Sequence, residues 1–197
     1  MCLVSTDMRR TNIAGFQTLW FFLESAQLGY TGTAKWDAYW GLYDNSSANN
    51  QSYWMTGSAA EGWPLLPTYH SLHLLLETTQ RGWEVVQVAP WEEDDWKVGV
   101  PDRPEKELAA YTAADGSVTV MGLDSHGREL NTVSSEPPSS YSIGGLPATM
   151  AFNLALWNAT GNGENSLAGT VTTDAAGVAR FEVPVHAAFS LTTVPVS

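Results

Sequence analysis

The side chains of this protein with the greatest chemical reach are aromatic. Nine Trp and seven Tyr occur in 197 residues, and five of each fall between Trp20 and Tyr69. Such a ring offers a flat apolar face with a polar edge, the surface on which a sugar ring stacks. The same rings also fill cores, and for any single Trp that is the commoner role. Histidine and cysteine offer less. Cys2 is the only cysteine, so neither an intrachain disulfide nor a cysteine-based zinc site can form. His70 and His73 stand three apart on an expected helix without a third ligand at a usual spacing, so neither a metal nor a cofactor is expected. The segment WEEDDWKVGVPDRPEKE is acidic but lacks the alternation of a calcium loop, and it reads as a solvated connection.

Charge narrows the choice of partners. Twenty-one acidic residues against nine basic give a formal net charge of −12, and no Lys/Arg cluster is present to neutralise a run of phosphates. Nucleic acid is therefore excluded as a partner. The most apolar run, Leu19 to Leu23, stops at Glu24, too short for a membrane span. The first residues, MCLVSTDMRRTN, have no apolar core before their two arginines and do not read as a signal peptide.

The elements that must position the aromatics come in two styles. Phe16, Leu19, Trp20, Leu23 and Ala26 repeat at helical spacing over 14–28, and Gly29 follows where a left-handed cap is wanted. The β-prone run TAKWDAYW feeds a polar loop containing DNSSANNQS. A second helix begins at Pro67 and repeats Tyr69, Leu72, Leu76 and Thr79 before closing at Arg81-Gly82. From Trp83 the pattern changes to short alternating runs: 108–111 and 118–123 around Asp115-Gly116, then 152–156, 178–183 and 189–194. Six to eight antiparallel strands at that spacing predict a β-sandwich. SSEPPSSYS reads as a loop. The fold class expected is α/β followed by all-β, with 1–82 as one domain and 83–197 as the other. One strand with two helices cannot cover both faces of a parallel sheet, so the first region looks incomplete by itself.

TAKWDAYWGLYD followed by YWMTG and EGWPLLPTYHSLHLLLETTQRGWEVVQV resembles the end of the catalytic barrel in the large retaining superfamily of glycosidases called clan A. The tail, FNLALWNATGNGENSLAGTVTTDAAGVARFEVPVHAAFSLTTVP, is similar to the β-sandwich domains that close many such enzymes. The resemblance implies helix seven, strand eight, its loop and helix eight of a (β/α)8 barrel, then the sandwich. Retaining hydrolysis needs an acid/base carboxyl and a nucleophilic carboxylate about 5–5.5 Å apart. In the clan both are glutamates on the fourth and seventh strands, ahead of the matched segment. They would precede Met1, and no residue here is assigned a catalytic role.

The resemblance carries over at the end of strand eight, where the clan places an aromatic floor beneath the sugar. Trp36 matches it, with Asp37, Tyr39 and Trp40 around it as substrate-binding residues, while Trp54 and Trp63 follow in the loop. Packing between barrel and helix is the competing role for Trp36 and Trp40, while Trp63, beside Pro64, is expected to pack under the loop. Asp37 with Glu61 is the one self-contained carboxylate pair, and a loop glutamate is solvated by default. Implied, then, is a fragment of a secreted glycosidase, inactive alone, whose partners are a poly- or oligosaccharide and the missing barrel portion. The alternative is a noncatalytic carbohydrate-binding or structural β-sandwich protein.

Overall fold

The computed structural model describes residues 12–30, 32, 55–57, 59–89, 106–124, 137–158 and 165–196. Helix α1, Asn12–Gln27, buries Phe16, Leu19 and Leu23 along one stripe. It ends in a Schellman cap: Tyr30 N donates to Ser25 O and Gly29 N to Ala26 O, with Gly29 at φ 79°. Helix α2, Pro67–Thr78, starts with proline where a missing N–H costs nothing, and it buries Leu72, Leu74 and Leu75. The helices meet where α1 has Gly15. A Cβ there would lie 2.5 Å from the Trp157 ring and 2.9 Å from the carbonyl of Pro67.

Among the described residues eight strands follow: β1 Glu84–Val86, β2 Lys106–Thr112, β3 Val118–Asp124, β4 Ser139–Ile143, β5 Ala151–Asn158, β6 Ser166–Thr172, β7 Ala179–Val183 and β8 Ala187–Thr192. Six form one sheet in the order β1-β2-β3-β8-β5-β6, and β4 pairs with β7 in a separate ribbon. Every pairing between them is antiparallel. The described part is thus a small, sheet-dominated α/β structure.

Alternation along the strands builds two cores on opposite faces of the larger sheet. Ala109, Met121, Leu123, Ala155, Trp157 and Ala188 point one way, onto Phe16, Leu19, Leu23, Leu74 and Leu75 of the helices. Val118, Val120, Phe152, Leu154, Phe189 and Leu191 point the other way, onto Tyr141, Phe181 and Val183 of the ribbon. Tyr141, Phe181 and Phe189 form an aromatic triad with centroids 4.9–5.5 Å apart. Gly122 leaves room for it, since a Cβ would meet the Phe189 ring at 2.5 Å.

The segment read as a loop at SSEPPSSYS is corrected here, because its second half is β4. Tyr141 turns inward to the triad while Ser140 and Ser142 face outward, so a serine-rich stretch with few large side chains makes a strand.

Four buried hydroxyls fasten α2 to the sheet: Thr78, Thr119, Ser190 and Thr192 are each fully enclosed. Thr78 Oγ1 donates to Leu74 O at 2.9 Å and accepts from Ser190 Oγ at 2.9 Å. Thr119 Oγ1 donates to Thr78 O at 2.6 Å, which leaves it to accept from Thr192 Oγ1 at 2.7 Å. Each of the four protons has an acceptor, so the polar group of every member is matched on burial.

Candidate functional site

Trp36, Asp37, Tyr39 and Trp40, with the expected strand that carries them, lie outside the described residues. So do Trp54 and residues 91–105 of the acidic segment. The loop leading from them into α2 is described from Met55 onward, except residue 58. Thr56 bridges to Leu65, Gly57 N donates to Pro64 O at 2.7 Å, and Leu66 N donates to Met55 O at 2.9 Å. These bonds pinch the loop so that a 3-10 turn at Ala59–Glu61 and the residues Gly62-Trp63 form its tip.

Trp63 is the informative residue at that tip. It follows Gly62, at φ 78°, and itself adopts φ 57°, a left-handed conformation that a bulky side chain rarely takes. It leaves 47 % of its surface exposed. The expectation that Trp63 packs beneath the loop is therefore corrected: Pro64 is turned back against Gly57, and the indole is left at the surface. Glu61 is exposed on the same turn, and its separation from Asp37 falls outside the described residues.

On α2, His70 is buried and packs edge-on against Tyr69, while the His73 ring stacks on Tyr69 at 5.5 Å. His73 Nδ1 lies 3.8 Å from Glu77 and 2.9 Å from the Asn165 carboxamide, which docks the start of β6 onto the helix. No group of three His, Cys, Asp or Glu able to hold a metal occurs among the described residues. No described helix is long and apolar enough to cross a membrane.

One fully buried carboxylate sits on the ribbon side. Asp124 is fully enclosed, with the Lys106 ammonium 3.8 Å away and the Tyr141 hydroxyl at 3.5 Å. Burial, and then the Asp124 carboxylate, push the Tyr141 phenol well above its usual range, so it stays a neutral donor. The Lys106 ammonium also lies 5.0 Å from the Tyr141 ring centroid. We read this trio as ribbon-to-sheet fastening, because each member is held by another of the three.

Neither a protein-family model nor a curated protein sequence matches the chain. Solved structures do. The chain is similar to a GH30 endoxylanase from Clostridium papyrosolvens C71 at a TM-score of 0.57 and 9% identity, over 93% of this chain and 38% of that one. It is also similar to the catalytic domain of GH30 xylanase C from Talaromyces cellulolyticus, at a TM-score of 0.51 and 12% identity, over 73% and 28% respectively. The chain therefore spans well under half the length of either. At these identities the likeness is one of fold, and the fold is glycoside-hydrolase-like.

Proposed function

We propose that this chain is the carboxyl-terminal portion of a retaining glycoside hydrolase. On this reading residues 1–82 supply the last part of a (β/α)8 barrel and 83–197 a β-sandwich, made of the stacked six-stranded sheet and ribbon. The observation that supports it most is the likeness to an endoxylanase over nearly the whole of this chain and little more than a third of that one. Helix α1 adds support: beyond the stripe packed on the sheet, it presents Phe21 at 52 % exposure. A helix apolar on more than one side belongs between two layers, here the sheet and the rest of a barrel.

The substrate proposed is a poly- or oligosaccharide bound at the strand-eight end by Trp36, Asp37, Tyr39 and Trp40, where ligands gather in this fold. Trp63 joins that group. A bulky residue held in a left-handed conformation at a loop tip costs roughly 1–3 kcal/mol, and such strain concentrates at binding sites. Both catalytic glutamates are assigned to the portion before Met1, and the complete enzyme to the extracellular space. The test is the genomic reading frame upstream of Met1. An in-frame barrel with two strand-end glutamates agrees with the proposal, while a frame closed immediately upstream would leave a noncatalytic carbohydrate-binding or structural protein.

A further inference from the structure

A groove of about 240 Å³ opens where the two helices end, between α1, α2, β1 and β2. Its apolar walls combine the rings of Phe22, Tyr30, Trp83 and Tyr111 with aliphatic Leu76 and Val85, and its polar lining includes Gln80 and Arg81. The rings come from α1 and the residue after its cap, from the turn before β1, and from β2, so no local spacing announces them. Tyr30 is 66 % exposed, and Trp83 and Tyr111 are partly open. Desolvation holds the Tyr111 phenol up at about 12, so at neutral pH its hydroxyl is a neutral hydrogen-bonding group.

Charge and polarity select among occupants. Among the described cations, Lys106 and Arg180 each face a carboxylate, at 3.8 and 2.6 Å, whereas Arg81 has none within ion-pair distance among the described residues. An apolar chain segment laid in the groove would strip water from the Arg81 guanidinium and the Gln80 amide without replacing its hydrogen bonds. A pyranose matches both halves of the lining, since its C–H face stacks on aromatic rings while its hydroxyls accept from guanidinium and amide donors. The volume is below the roughly 300–1,000 Å³ of sites for drug-sized ligands, which fits a single ring.

We infer that this groove is a second saccharide-binding site, taking one pyranose unit of a polysaccharide at the carboxyl ends of the helices. It rests on the carbohydrate reading above but not on the same residues. The strand-eight loop enters α2 at its amino end, and a 12-residue helix separates the two by about 18 Å. Such a site holds the polymer without positioning any bond for cleavage.

The experiment is calorimetric titration of the full chain with xylohexaose and with cellohexaose, comparing wild type, Tyr30→Ala, Trp83→Ala and Trp63→Ala, each checked by its melting temperature. We expect binding of at least one hexaose, weakened about five- to tenfold by Tyr30→Ala and by Trp83→Ala. Should Trp83→Ala fail to fold, exposed Tyr30 carries the test. Unchanged affinity in the groove variants, with loss in Trp63→Ala, would overturn the groove site and leave the strand-eight reading standing. Absence of binding to both sugars would also overturn it, while the upstream reading frame decides the parent enzyme independently.

Discussion

Replacing Thr119 by Val tests whether the helices and the sheet form one cooperative body. Valine keeps the shape of threonine and puts a methyl in place of the hydroxyl, which donates to Thr78 O and accepts from Thr192 Oγ1. Two enclosed groups are then stranded. The Thr78 carbonyl, at the end of α2, has no amide further along the helix to receive, and the Thr192 proton loses its acceptor. A stranded buried polar group costs about 1–3 kcal/mol, and the added methyl returns under about 1. We therefore expect a loss of about 2–4 kcal/mol. Thr119→Ser keeps the hydroxyl and should cost only about 1 kcal/mol for the lost methyl. In Thr119→Val/Thr192→Val the losses should fall short of additivity by about 0.5 kcal/mol or more, because the two share a bond. Urea denaturation followed by tryptophan fluorescence and far-UV circular dichroism reads this as a lower midpoint at unchanged slope, with coincident transitions. A Thr119→Val midpoint equal to wild type, or one higher than that of Thr119→Ser, would refute the network as drawn.

Three further outcomes follow from the same packing. Gly15→Ala should destabilise by about 1–3 kcal/mol in thermal or urea melts despite a helix-propensity gain of about 1, because the Trp157 ring it meets is fully buried and Pro67 O is backbone. Trp63→Gly should leave stability unchanged or raise it by about 1–3 kcal/mol through relief of the left-handed strain; a loss of stability in the melt would show that the indole is a packing residue. Asp174 is held below its usual 3.8 by a hydrogen bond from Arg180 and then by backbone amides, so its folded pKa is depressed. Its stabilising contribution is present above the unfolded value near 3.8 and disappears as pH falls below it, and the gap between wild type and Asp174→Asn in urea melts should close on acidification. A gap that widens toward acid would reverse that assignment.

Much of this fold is legible from periodicity. The repeats over 14–28 and 67–80 correspond to α1 and α2 within about two residues, and β3 reads as a strand although it is buried along its whole length. What periodicity misses is instructive. β6 runs along a sheet edge with most of its residues exposed, and β1 is three exposed residues, so neither carries an alternating apolar signal. β4 is hidden by its serines, because only Tyr141 and the half-buried Ile143 mark the inward face. The hydroxyls of Thr78, Thr119, Ser190 and Thr192 look like surface chemistry in the sequence. Their partners are 41 to 112 positions away, and only the tertiary fold shows them enclosed. The same holds for the groove, whose aromatics at 22, 30, 83 and 111 share no local pattern. Trp36, Tyr39 and Trp40 are conspicuous as residue types, but their role rests on resemblance, while the exposure of Trp63 depends on a loop geometry that composition does not encode.

On the proposed reading this chain is part of a glycoside hydrolase and lacks its cleaving carboxylates. The most direct measurement is reducing-end release from xylan and from an aryl xyloside by the purified chain, alongside Asp37→Asn and Glu61→Gln. We expect no release above the buffer background from any of the three proteins, because retaining hydrolysis needs one carboxyl to protonate the leaving oxygen and a second to attack the anomeric carbon. Release by the wild-type chain that disappears in Asp37→Asn or Glu61→Gln would contradict the claim and make that pair the catalytic site.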